Sequence, residues 1–149
     1  MVELPKRVNN KKDQEDNKPY NDAHKKPLKQ TIVLVTGGFD PLHSGHISYL
    51  QAAKAMGDFL IVGINSDAWL KRKKGRFFMP LNERGAIISE LRMVDKVVGF
   101  EDDYDEDDSC VRFIKDMREY NPEARIVFAN GGDRKPGTTL EEKAGLKGV

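Results

Sequence analysis

From residue 31 onward, the apolar positions of this chain alternate between two rhythms. Thr31-Ile-Val-Leu-Val-Thr36 is a short run rich in β-branched residues that ends in glycines, the pattern of a strand covered on both faces. Ile47, Leu50, Ala53 and Met56 then recur at helical spacing, and Gly57 supplies a stop. Phe59-Leu-Ile-Val-Gly-Ile64 reads as a second buried strand, so the three pieces form a βαβ unit with a parallel, right-handed crossover. Asn82 is an expected N-cap for a helix with inner face Ile87, Ile88 and Leu91, which leads to a third strand at Lys96-Val-Val-Gly-Phe100. Cys110, Phe113, Ile114 and Met117 fall at i, i+3, i+4 and i+7, an amphipathic helix closed by Asn121-Pro122. A fourth strand, Arg125-Ile-Val-Phe-Ala129, runs into Asn130-Gly-Gly-Asp133.

Four strands alternating with helices predict an α/β fold with a Rossmann-like, doubly wound parallel sheet. In such a sheet ligands bind at the carboxyl ends of the strands, where strand order reverses. Two glycine-containing loops lie at such ends, 37–46 after the first strand and 130–133 after the fourth. A site between them requires those two strands to be neighbours. Residues 30–149 are assigned to this single domain. Residues 1–29 carry eight Lys and Arg against five Asp and Glu with no apolar period, which predicts a disordered polar tail.

Composition narrows the partners. Within 149 residues, 38% are apolar, sufficient for one core, and the formal net charge is +1. No global field therefore selects nucleic acid or a membrane surface. A single cysteine, Cys110, permits no intrachain disulfide and suits a reducing, cytoplasmic compartment. No segment approaches the roughly 18 consecutive apolar residues of a membrane span.

The chemistry concentrates in Gly37-Gly-Phe-Asp-Pro-Leu-His-Ser-Gly-His46. Gly37 and Gly38 allow the backbone to approach an anion, and a helix opening near His46 presents N–H groups and a positive dipole end. His43 and His46, three residues apart, can lie on one side of the helix entry and donate to the same phosphate oxygens. Gly45 between them keeps other side chains away. The same residues also allow two other readings: structural histidines of a capped helix, or a metal set with Asp40 in Asp-x-x-His-x-x-His spacing. The basic run Lys71 to Arg76 follows the second strand and reads either as a solvated loop or as a phosphate clamp at the same sheet edge. Glu101 to Asp108 holds seven acidic residues in eight and predicts a hydrated loop. Trp69, Phe77 and Phe78 flank the basic run and are expected chiefly to pack.

The motif Gly-Phe-Asp-x-x-His-x-Gly-His resembles the signature of the cytidylyltransferase-like nucleotidyltransferases, which include glycerol-3-phosphate cytidylyltransferases and heptose-phosphate adenylyltransferases. The similarity continues through Gly63-Ile-Asn-Ser-Asp67, Pro80-Leu-Asn-Glu-Arg84, Leu91-Arg-Met-Val-Asp95-Lys-Val-Val98 and Gly131-Gly-Asp133. The resemblance implies that His43 and His46 contact a triphosphate and stabilise the transition state. By the same token Gly37, Gly38, Phe39, Asp40 and Gly45, with Gly131, Gly132 and Asp133, would hold the nucleotide, and Lys73 or Lys74 would neutralise phosphate charge. Asp67, Lys71 and Arg92 would face the substrate, and Arg92 with Asp95 matches a pair near the site. The implied reaction moves CMP or AMP from CTP or ATP to a phosphorylated small molecule, with slight preference for CTP. Mg²⁺ would accompany the triphosphate, and relatives of this kind are commonly homodimers.

Members of that family continue past Gly-Gly-Asp to a further strand and an Ile-Ser-Thr-Thr-like motif. Here Thr138 with Glu141 matches a helix capping box instead, so the domain is expected to lack its last strand and helix. That leaves a non-catalytic nucleotide-binding module as the alternative. A fragment of a class I aminoacyl-tRNA synthetase, which shares a His-x-Gly-His-like loop, is disfavoured by the near-neutral charge and the absence of a Lys-Met-Ser-Lys-Ser-like loop.

Overall fold

A computed structural model describes residues 2–4, 29–100 and 110–129. The elements in order are β1 (Val2–Leu4), β2 (Thr31–Gly37), α1 (Ser44–Lys54), β3 (Phe59–Ile64), α2 (Asp67–Lys74), α3 (Leu81–Ser89), β4 (Lys96–Gly99), α4 (Val111–Tyr120) and β5 (Arg125–Phe128). Each strand expected from the apolar runs is present, and the two ends of β3 coincide with the predicted ones.

The strands form one sheet in the order β1-β4-β3-β2-β5. From β2 the chain winds outward through β3 to β4 with parallel pairing, then returns to place β5 parallel to β2 on its other side. The strand order thus reverses at β2, and the crevice expected of a doubly wound sheet lies at its carboxyl end. Leu34 pairs with Ile61 on one side and Phe128 on the other, which supplies the adjacency of the first and fourth predicted strands that the site required.

Both sheet faces are covered, which explains why β2 is apolar throughout. Val33 and Val35 join Leu50 and Ala53 of α1 and Ile88 of α3 in one cluster, while Ile32 and Leu34 join Phe113, Ile114 and Met117 of α4 in the other. All four apolar positions read for α4 are buried, and Asn121 ends that helix with its backbone and side-chain N–H groups on the Met117 carbonyl. Phe113 is 1% exposed, stacks on Phe100 at 5.2 Å between centroids, and fills the space that Gly63 leaves on β3. Phe113→Ala is expected to cost about 3–5 kcal/mol of stability, read as a lowered urea midpoint.

Four local readings are corrected. Val2–Leu4 is not part of a structureless tail: it pairs antiparallel with β4, Glu3 opposite Val98. A three-residue strand is too short to show a period, and it forms because the free edge of β4 offers unpaired backbone groups. Helix α1 ends at Lys54, so Met56 lies beyond the helix and is exposed. Helix α3 starts after Pro80 rather than Asn82, consistent with the fixed proline φ at a helix entry, and its inner face includes Arg84, Gly85 and Ile88 while Ile87 is exposed. The basic run is largely a helix, α2, rather than a loop: Ser66 Oγ accepts the Trp69 N–H at its start, and Gly75 closes it at φ 79. The acidic run 101–108, residues 130–133 and the Thr138–Glu141 capping box lie outside the described residues. No helix among the described residues is long and apolar enough to cross a membrane.

Candidate functional site

The loop from β2 to α1 is shaped by its first residues. Phe39 has φ 52, a left-handed conformation that a phenylalanine adopts only when its surroundings hold it there. Its ring supplies that hold, being 4% exposed, packed on Gly37 and set edge-on to His46 at 5.2 Å. The Phe39 side chain therefore belongs to the core rather than to a nucleotide-facing surface. Asp40 is buried as well, and both of its carboxylate oxygens are engaged: Oδ2 accepts the Phe78 N–H at 2.5 Å and Oδ1 the Met79 N–H at 2.8 Å. Asp40 thus ties this loop to the segment between α2 and α3.

His43 and His46 meet at the start of α1, their rings stacked with centroids 3.9 Å apart. His43 is the N-cap, and its Nδ1 accepts the Gly45 N–H at 3.1 Å. In return His46 Nδ1 accepts the His43 N–H at 3.1 Å, a reciprocal cap built from two imidazoles. Each Nδ1 that accepts carries no proton, so each neutral ring carries its proton on Nε2 as a donor. Two of the N–H groups expected to face an anion are consumed in this way. Gly45 is required by the same geometry, since a Cβ there would lie 2.9 Å from His43 Cε1. Asp40, His43 and His46 do not form a metal set, because the acceptors they would offer are already occupied; no metal-holding group of three His, Cys, Asp or Glu exists among the described residues.

Burial holds the His46 pKa below its ordinary value, and the neighbouring His43 and Lys74 push it the same way. Between that lowered value and about 6.5 the unfolded chain binds more protons than the folded one, so folding stability falls as pH drops from about 6.5 through that lowered value. His46→Gln removes this titration. The difference in melting temperature between wild type and this variant is expected to shift against the wild type as pH falls from neutrality to 5, and a pH-independent difference would contradict the assignment.

The two lysine registers are separated by α2. Lys74 Nζ reaches the Asp40 carbonyl at 3.4 Å, next to the histidines, whereas Lys73 lies over the Trp69 ring at 5.9 Å and Lys71 over Phe77 at 5.2 Å. Asp67, expected to face substrate, instead receives Arg84 Nη2 at 2.6 Å. Arg92 does not join the cluster: it lies exposed in the turn that precedes β4, at the amino ends of the strands. Asp95 marks the same pole, where it accepts Lys54 Nζ at 2.5 Å and the Leu60 N–H at 2.8 Å. That is roughly 15–20 Å along β3 from the histidine end. Gly131, Gly132 and Asp133 lie outside the described residues, but Tyr49 on α1 donates its hydroxyl to the Ala129 carbonyl at 2.7 Å, fixing where the chain leaves β5.

A residue that the pattern reading passed over is Arg84, 1% exposed in the middle of α3. Its sequence signals are its place at the end of the family-like stretch Pro80-Leu-Asn-Glu-Arg84, to which the resemblance attaches no role, and a cation on the inward stripe formed with Gly85 and Ile88.

Comparison with known proteins gives three further findings. A family model described as cytidylyltransferase-like matches residues 34–145. The bifunctional protein HldE of Photorhabdus laumondii is 43% identical over 122 residues, covering 80% of this chain and 23% of that protein. HldE of Helicobacter pylori strain Shi470 is 53% identical over 77 residues, covering 50% of this chain and 17% of that protein. The chain thus spans less than a quarter of the length of these two curated relatives. Among solved structures, a lipopolysaccharide core biosynthesis protein from Thermoplasma volcanium aligns with a TM-score of 0.50 and 26% identity, covering 70% of this chain and 99% of that one.

Proposed function

This chain belongs to the cytidylyltransferase-like family, and from that premise we propose that it transfers a nucleotidyl group from CTP or ATP to the phosphate of a phosphorylated sugar, releasing pyrophosphate. An oxygen of the acceptor phosphate attacks the α-phosphorus in line. The new P–O bond forms as the bond to the bridging oxygen breaks, and pyrophosphate leaves with that electron pair. No covalent enzyme intermediate is needed.

The observation that carries this reading is the stacked pair His43 and His46, with both Nδ1 atoms occupied by backbone N–H groups. Two Nε2–H donors fixed side by side suit the charge that builds on the oxygens of a five-coordinate phosphorus. The lowered His46 pKa supports a neutral donor, and Lys74 adds a cation for the phosphates that become the leaving group. Mg²⁺, if it accompanies the triphosphate, would be held mainly by substrate oxygens and would supply charge neutralisation for the phosphates. The engagement of both Asp40 carboxylate oxygens by backbone N–H groups supports this division of labour. A sugar acceptor is supported by the similarity to a lipopolysaccharide core biosynthesis protein and to HldE proteins.

A pyrophosphate-release assay with each of CTP and ATP against a panel of sugar phosphates and glycerol phosphate tests the proposal. Release that requires one donor and one sugar phosphate together is expected. Saturable nucleotide binding without release for any pair would reduce the domain to a binding module.

A further inference from the structure

The mechanism above makes no use of Arg84, yet its guanidinium is fully buried and donates to three different segments around the site. Nε donates to the Met79 carbonyl at 2.8 Å, Nη1 to the Gly38 and Asn65 carbonyls at 2.8 Å each, and Nη2 to Asp67 at 2.6 Å. Four of the five N–H donors of an arginine are thereby used. Gly38 opens the loop that carries the histidines, Asn65 and Asp67 form the entry to α2, and Met79 closes the segment that follows α2. Met79 is also one of the two N–H donors to Asp40. Helix α2 is therefore held on both flanks by one side chain, and Lys74 stands at its end.

We propose that Arg84 is a positioning residue for nucleotide transfer, setting the distance between Lys74 and the histidine pair by joining the segments on which they stand. This rests on the transfer reading given above. A guanidinium can serve this purpose because it is planar, always charged and presents several donors in fixed directions, whereas the single ammonium of lysine cannot reach four acceptors spread over three segments. The desolvated carbonyls of Gly38, Asn65 and Met79 have no comparable donor once it is shortened, so the segments must shift.

The test is a double-mutant cycle read by calorimetric titration with CTP, ATP and the matching monophosphates, on wild type, Lys74→Ala, Arg84→Lys and the double variant. Lys74→Ala is expected to weaken triphosphate binding by about 10- to 150-fold. Arg84→Lys is expected to weaken it at least about tenfold while leaving monophosphate affinity nearly unchanged. If Arg84 acts through Lys74, the double variant binds triphosphate within about twofold of Lys74→Ala alone. A double variant that loses the product of the two single effects overturns the positioning role, and so does an equal loss for monophosphate and triphosphate. A Lys74→Ala protein that binds triphosphate like wild type refutes the role given to Lys74 at the leaving phosphates, a separate failure of the transfer reading.

Thermal melting establishes whether Arg84→Lys is folded. Where it is not, Asp67→Asn removes only the charged partner on α2, and the same cycle with Lys74→Ala decides the matter. A smaller triphosphate loss that vanishes in the Lys74→Ala background supports the proposal, and an unchanged affinity overturns it.

Discussion

Replacing His46 or His43 by alanine is expected to lower turnover about 10²- to 10³-fold, the usual consequence of removing one preorganised donor to a developing oxyanion. Nucleotide KM should change far less, because a donor that acts mainly on the transition state contributes little to ground-state binding. The reciprocal cap complicates the alanine variants, since His43→Ala also removes the acceptor for the Gly45 N–H and costs about 0.5–2 kcal/mol of helix-start stability. Asparagine separates the two contributions. It is among the best N-cap residues but has no donor at the Nε2 position, so His43→Asn should melt close to wild type while remaining as inactive as His43→Ala. An asparagine variant with near-normal turnover would show that capping, not donation, is the role of His43.

Lys74→Ala is expected to reduce kcat/KM for the triphosphate by about 10- to 150-fold, the range for losing a hydrogen bond to a charged group. Lys73→Ala should stay within about threefold, because Lys73 is turned toward Trp69 and not toward the histidines. The contrast checks the register that α2 imposes. The Lys74 variant should also move the acid limb of the pH profile upward, since Lys74 is one of the charges that depress the His46 pKa. If the two lysine variants lose activity equally and neither shifts the acid limb, Lys74 does not serve the leaving phosphates.

Much of the scaffold is legible in the chain because it depends on neighbours in sequence. The apolar runs of β2 and β3, the period of α4 and the turn from strand to helix at Gly37 to His46 all report local backbone preference and burial on one or two faces. Helix α2 was obscured by composition: only Leu70 on it is buried, so no apolar stripe marked it, although Ser66 and Gly75 are recognisable caps. Val2–Leu4 gave no period because three residues contain less than two strand repeats.

The division between histidine donors and their supports follows the same logic. The spacing of His43, Gly45 and His46 already implied two imidazoles on one helix entry, and the fold refined this into two rings with assigned protons. What composition and spacing could not reveal was the fate of Asp40, Asp67, Arg84 and Arg92. Each is a charged side chain whose surroundings are set by distant segments: Asp40 bonds across 38 and 39 residues, and Arg84 across 17 to Asp67 and 46 to Gly38. A charge on an inward helix stripe reads as a break in the pattern until its acceptors are known, because burial of an arginine is tolerated only where those acceptors converge. The sequence by itself determined the alternation of elements and the placing of His43 and His46 together at one helix start, since both depend on interactions within a few residues. The order of the strands, the placing of Lys74 rather than Lys73 beside Asp40 and the buried hub at Arg84 were decided only in the tertiary structure, where the pairing of β2 with β5 and the closure of three segments around one guanidinium bring together residues far apart along the chain.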